Sequence, residues 1–204
     1  MSVMLKKLDP YWLWAVLALP AVSFVYQALT STNPRILHIL EHPTGEFAAR
    51  FLIVAMIATP ICLLLKTWRG PRWLRKNRRY FGVAAFFYAA FHTVLYLIDR
   101  ADIARILEQA THFDMLTGWI AFAIFIPLAV TSADYFVRKM GTGWKALQRW
   151  TYAAAVLTFL HWAALHGWHE PLPAIVQFSP LILLSIWRIW HIYSRRRARA
   201  QAHA

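Results

Sequence analysis

Two histidines, His92 and His161, are the residues of this sequence best placed to do chemistry. Each lies deep in a run of apolar and aromatic residues, where an ionisable side chain is costly unless something holds it. His92 stands six residues before the end of a run over 80–98, and His161 five before the end of a run over 150–166. At about 1.5 Å of rise per helical residue, the two depths agree to within roughly one turn. Two neutral imidazoles at one depth on two helices are the axial pair that a six-coordinate b-type haem requires. Low-spin iron held in this way changes redox state with little movement, which favours electron transfer over oxygen chemistry. Spacing alone leaves two other readings open: buried histidines hydrogen-bonded to neighbouring helices, and a path for protons or ions.

The elements that must position this pair are membrane helices. Of 204 residues, 59% are hydrophobic, and mean hydropathy is +0.42. That apolar share exceeds the usual one for a soluble domain. Six runs are long enough to span a bilayer or nearly so, over 11–30, 47–65, 80–98, 117–133, 150–166 and 174–193. The expected fold is therefore all-α, a single bundle of six transmembrane helices followed by a basic tail over 194–204. The first run is read as a retained helix rather than a cleaved signal peptide, because it is long for a signal core and no small-residue cleavage site follows it. Asn33-Pro34 reads as a helix stop and His42-Pro43-Thr44-Gly45 as a turn. Pro60 falls inside the second run and is expected to kink it. A short amphipathic helix is expected over 103–110, lying at the surface.

The net charge of +13 admits nucleic acid or an anionic membrane surface as partner. Its placement decides for the membrane. Seventeen of the 22 lysines and arginines fall on one side of the six-span arrangement: Lys6 and Lys7, seven bases over 66–79, four over 138–149 and four in the tail. Seven of the nine acids fall on the other side. By the positive-inside rule both termini are cytoplasmic. The single cysteine, Cys62, excludes an intrachain disulfide framework, a CxxC zinc site and an iron–sulfur pattern. No protease, phosphate-loop or nucleotide fingerprint is present. The other histidines, His38, His42, His112, His166, His169, His191 and His203, read as solvated or interfacial. No spacing or carboxylate partner supports a metal site among those of the outer loops. Arg50, at the outer end of the second span, could meet a haem propionate or snorkel to the interface. Phe91 and Trp162, beside the two histidines, could line a macrocycle or simply pack.

Seven short pieces carry a resemblance over residues 40–165. They are His42-Pro43-Thr44-Gly45, Ala58-Thr59-Pro60, Arg78-Arg79-Tyr80-Phe81-Gly82, Phe91-His92-Thr93, Leu128-Ala129-Val130-Thr131-Ser132, the segment 144–152, and Leu160-His161-Trp162. In this order the chain resembles the haem-binding membrane subunit of the periplasmic methionine-sulfoxide reductase system. This is the MsrQ or YedZ type, within the ferric-reductase-like transmembrane group. The resemblance implies a cytochrome b subunit of the bacterial inner membrane. Such subunits take electrons from quinol or a cytosolic flavin reductase and pass them through haem b to a periplasmic molybdopterin enzyme that reduces methionine sulfoxide. It also implies a bound FMN, which no spacing in this sequence indicates. On this reading the chain transfers electrons and does no bond chemistry on the final substrate.

One position departs from the family. Gln148 stands where a histidine is usual, and the corresponding inner position on the third span is near Arg78. Related reductases stack two haems on histidine pairs 13 or 14 residues apart. An amide and a guanidinium are poor iron ligands. One bis-histidine haem is therefore expected, on the outer side. The inner basic segments, with Arg78, Arg79, Gln148 and Arg149, are the expected place for a docking reductase or a flavin phosphate, although orientation signalling alone accounts for them. Two rival functions stand beside the relay. One is a stand-alone haem ferric reductase, for which the chain has no room for nucleotide and flavin domains. The other is a haem-free transport or assembly protein.

Overall fold

A computed structural model describes residues 11–201, with only the backbone given at 166–167, 196 and 198–200. Lys6, Lys7 and His203 lie outside the described residues, as do the side chains of His166, Arg196 and Arg199. Among the described residues there are helices and no strand.

The chain opens with α1 (Tyr11–Thr30), an apolar run with Pro20 inside it. Next come α2 (Ile36–Leu64) and α3 (Arg69–Arg100). A short α4 (Ile103–Ala110) leads to α5 (Phe113–Val130). Two one-to-two-turn helices, α6 (Asp134–Met140) and α7 (Thr142–Gln148), meet at Gly141, whose φ of 52° is open to glycine without strain. They lead into α8 (Trp150–Ala164), a 3₁₀ turn (Leu165–Trp168) and α9 (Leu172–Gln201).

Two connections expected from the sequence are helical instead. The His42-Pro43-Thr44-Gly45 turn lies inside α2, which starts at Ile36. Packing overrides the local proline signal here: Leu40 and Ala48 are buried in one cluster with Phe24, Tyr88 and Leu95. Thr44 Oγ1 also donates to the Leu40 and Glu41 carbonyls at 2.7 and 2.8 Å, keeping that turn closed. The basic loop over 66–79 is likewise mostly helix, since α3 begins at Arg69. Pro71 is tolerated there because first-turn N–H groups have no intrahelical partner. At the other end α3 stops at Ala101 in the left-handed conformation, and Asp102 caps α4 by accepting from Ala104 N at 2.9 Å.

Five helices, α1, α2, α3, α5 and α9, are long and apolar enough to cross a membrane, and the chain is a multi-pass membrane protein. The helix that carries His161, α8, has 15 residues, or roughly 22 Å of rise. A 3₁₀ turn follows it, after the backbone leaves the helical conformation at Leu165 (φ −52°, ψ 143°). The tightest packing joins α2 to α3 and α5 to α8. Alanines 49, 85, 154, 155, 163 and 174 fill the central contacts and let helix backbones approach. Large apolar side chains such as Leu19, Val22, Val156, Leu183 and Ile186 face outward, as a lipid-facing surface requires.

Candidate haem-binding site

His92 on α3 and His161 on α8 face one cavity of about 550 Å³ between α2, α3, α5 and α8. Both imidazoles are held in the same way. His92 Nδ1 lies 2.8 Å from the Glu41 carbonyl oxygen on α2, and His161 Nδ1 lies 2.7 Å from the Asp114 carbonyl oxygen on α5. A carbonyl can only accept, so each Nδ1 carries a proton, and in the neutral imidazole Nε2 then keeps its lone pair for another partner. This is the outer hydrogen bond that orients a metal-binding histidine and raises its basicity.

The ring centroids are 6.3 Å apart, with 72° between the planes. Two imidazoles on opposite sides of one metal ion, with bonds of about 2.0–2.1 Å and ring centres about 1.1 Å beyond each nitrogen, have centroids about 6.2–6.4 Å apart. The pair therefore has the separation and the donor atoms for one shared metal centre. Ala49, Ala89, Ala121, Phe122, Phe125 and Trp162 give the cavity a mainly apolar wall suited to a flat macrocycle.

The rim of the cavity is polar. Arg100 lines it, with Nη1 2.8 Å from Asp99 Oδ2, while its buried Nε has no hydrogen-bond partner among the described residues. Glu41 Oε1 is buried and unpartnered in the same sense. His38, for which the sequence offered no carboxylate partner, has Nδ1 3.6 Å from Glu41 Oε1 and 3.4 Å from Asp99 Oδ2. His42 sits on the rim against Glu46 and edge-on to Trp162.

The other expected site residues fall elsewhere. Arg50 is held by Glu46 Oε2 at 2.7 Å and Gln177 Oε1 at 3.3 Å and does not line the cavity. Trp162 lines the cavity, whereas Phe91 faces a separate groove between α1 and α3. At the end of the bundle away from the cavity rim, Arg78 donates to Thr59 Oγ1 at 2.7 Å and Arg79 pairs with Asp134, whose carboxyl it holds below the ordinary carboxylate range. Gln148 Nε2 donates to the Leu128 carbonyl at 3.2 Å, beside the Trp144 bond to the Thr131 carbonyl at 2.9 Å. Arg149 is exposed. Sequence reasoning missed Arg100, which reads as an ordinary helix-end cation, and Gly45 and Gly118, on which the two imidazole rings lie.

The chain matches the family model "Ferric reductase like transmembrane component" over residues 44–159, a stretch that includes His92 and ends just before His161. It is 33% identical over 170 residues to a protein-methionine-sulfoxide reductase heme-binding subunit MsrQ from Xanthomonas campestris pv. campestris, covering 81% of this chain and 75% of that one. A protein of the same name from Brucella anthropi is 30% identical over 190 residues, covering 91% of this chain and 83% of the relative. With the paired imidazoles, the helical membrane fold and these matches together, the chain belongs to the ferric reductase like transmembrane family, in its MsrQ-type group.

Proposed function

We propose that this chain is the haem-binding, electron-relaying membrane subunit of a methionine-sulfoxide reductase system, with His92 and His161 as the axial ligands of one haem b. The observation that carries this reading is the 6.3 Å separation of two imidazoles that each turn Nδ1 to a backbone carbonyl. The similarity to heme-binding subunits supports it. A haem held there supplies a one-electron carrier. The Glu41 and Asp114 carbonyls fix the tautomer and direction of each imidazole. Phe122, Phe125 and Trp162 exclude water from the cavity wall. Arg100, with its unpartnered Nε at the rim, is the counter-charge for the haem carboxylates, in place of Arg50.

In this reading all six apolar runs cross the inner membrane of a bacterium with both termini cytoplasmic, α8 being the shortest of the crossings. The cavity rim, on the acid-rich side, then faces the periplasm and a molybdopterin reductase. The donor is quinol or a cytosolic flavin reductase. Arg78 and Gln148 are each taken up by partners within the chain, which supports one haem rather than two.

The test is the absorption spectrum and haem stoichiometry of the purified protein. The expected result is one haem per chain with the α band of bis-histidine haem b on reduction. A folded, colourless protein overturns the proposal, and two haems per chain overturn the inference from Gln148. At the rim, Arg100→Gln is expected to weaken haem retention roughly 10- to 100-fold, the worth of a charge-assisted hydrogen bond of about 1.5–3 kcal/mol. Arg50→Gln is expected to leave retention near wild type. Competition of each variant with apomyoglobin for haem measures both.

A further inference from the structure

The two histidines rest on the same five-residue device, used twice. Glu41-His42-Pro43-Thr44-Gly45 on α2 and Asp114-Met115-Leu116-Thr117-Gly118 on α5 share an acidic residue, two variable positions, threonine and glycine. In each, the acidic residue's backbone carbonyl takes the imidazole Nδ1–H of a histidine far along the chain, 51 residues from Glu41 and 47 from Asp114. The threonine is buried in each, and its hydroxyl turns back onto its own helix. Thr44 Oγ1 reaches the Leu40 and Glu41 carbonyls at 2.7 and 2.8 Å, and Thr117 Oγ1 reaches those of Phe113 and Asp114 at 2.9 and 2.8 Å. Such back-bonding bends a helix slightly, and here the carbonyl that takes the threonine hydroxyl also takes the ring N–H. The glycine of each, one turn beyond that carbonyl, leaves the space in which the imidazole lies. A Cβ on Gly45 would stand 3.2 Å from His92 Nδ1 and 3.3 Å from its Cε1. On Gly118 it would stand 2.8 Å from His161 Nδ1 and 2.9 Å from its Cε1. These atoms belong to a ring held at Nδ1 by the helix it rests on, so the ring cannot retreat without breaking that bond.

We infer that Gly45 and Gly118 are positioning residues for the two imidazoles, within a duplicated Asp/Glu-x-x-Thr-Gly cradle that sets the ring-to-ring separation. The claim concerns how the rings are held and rests on the haem reading only for its spectroscopic consequence. Glycine inside a helix is destabilising relative to alanine, so its presence at both matching positions calls for a local cause. Gly82, on α3, has nothing within 4 Å of its would-be Cβ and provides the control.

The experiment uses the full chain purified in detergent, as Gly45→Ala, Gly118→Ala and Gly82→Ala. Gly118→Ala, with the closer contact, is expected to retain haem about 10- to 100-fold more weakly, the usual effect of disturbing the groups that orient a metal ligand. Gly45→Ala is expected to show a smaller loss and a shifted low-spin electron paramagnetic resonance signal. Gly82→Ala is expected to match wild type. Haem content and resonance signal unchanged in both cradle variants overturn the inference, as does an equal loss in Gly82→Ala. A second measurement needs no haem. Gly118→Ala should lower the thermal midpoint of apoprotein in the native background and not in a His161→Ala background, where no ring meets the new methyl. Equal lowering in both backgrounds overturns the inference. A wild-type protein without haem overturns the proposed function instead, and this cycle still reads the glycine–imidazole contact.

Discussion

His161→Ala and His92→Ala are each expected to abolish the bis-histidine haem spectrum. Either change removes one of the two nitrogens proposed to share the metal, and His38 and His42 are the other histidines that line the cavity among the described residues. The rim histidines His38 and His42 are turned to carboxylates. The apoprotein should survive both changes. The lost ring leaves space continuous with an existing cavity rather than a void in a packed core, and one hydrogen bond to a carbonyl is worth about 0.5–1.5 kcal/mol net. The Glu41 and Asp114 carbonyls keep their threonine donors. Wild-type helicity together with loss of the α band is therefore the expected pattern, checked by circular dichroism and reduced-minus-oxidised spectra on one sample. Added imidazole should partly restore the low-spin band in His161→Gly, because the cradle on Gly118 remains in place. A variant that keeps the full band would remove its histidine from the ligand pair.

The pairing of His92 with His161 was legible because depth along a helix follows from counting residues, and a lone imidazole in an apolar run is conspicuous. The all-helical membrane fold was legible for the same reason, as was the short helix α4. What holds the rings was not. His42-Pro43-Thr44-Gly45 has the composition of a turn, and only the burial of Leu40 and Ala48 against α3 makes it a helix. Once that segment is helical, its glycine faces a ring instead of turning the chain. Gly118 sits in an unbroken apolar run and carries no local signal at all. It becomes visible only when the Thr-Gly pairs of two distant segments are set side by side. Arg50 and Arg100 both lie near the ends of apolar runs, and sequence cannot tell which one a neighbouring glutamate captures. The structure gives Glu46 to Arg50 and leaves a guanidinium nitrogen of Arg100 at the cavity rim.

The second large effect is expected at Tyr88, which joins the first helix to the helix that carries His92. Its hydroxyl accepts from Ala21 N at 2.8 Å and donates to the Leu17 carbonyl at 2.9 Å, so it stands inside the α1 hydrogen-bond ladder where those two groups would otherwise meet. Pro20, next to Ala21, removes another ladder bond. A side chain inserted beside a proline is a recognised cause of helix bending. Tyr88 is 4% exposed, and its ring packs against Phe47 and Phe51 on α2, which begin half a turn beyond Gly45. Tyr88→Phe keeps this wedge and removes the bridge. It should cost about 1–3 kcal/mol if Leu17 and Ala21 stay apart, with faster hydrogen exchange at Ala21 and an unchanged haem spectrum. Tyr88→Ala also removes the wedge and should cost about 3–5 kcal/mol. His92 lies one turn further along α3, so this variant should lose haem as well as stability. Thermal unfolding and haem content measured on both variants separate the two roles. A Tyr88→Phe protein as stable as wild type would mean that α1 closes its own ladder, leaving aromatic packing alone to hold α1 against the pair.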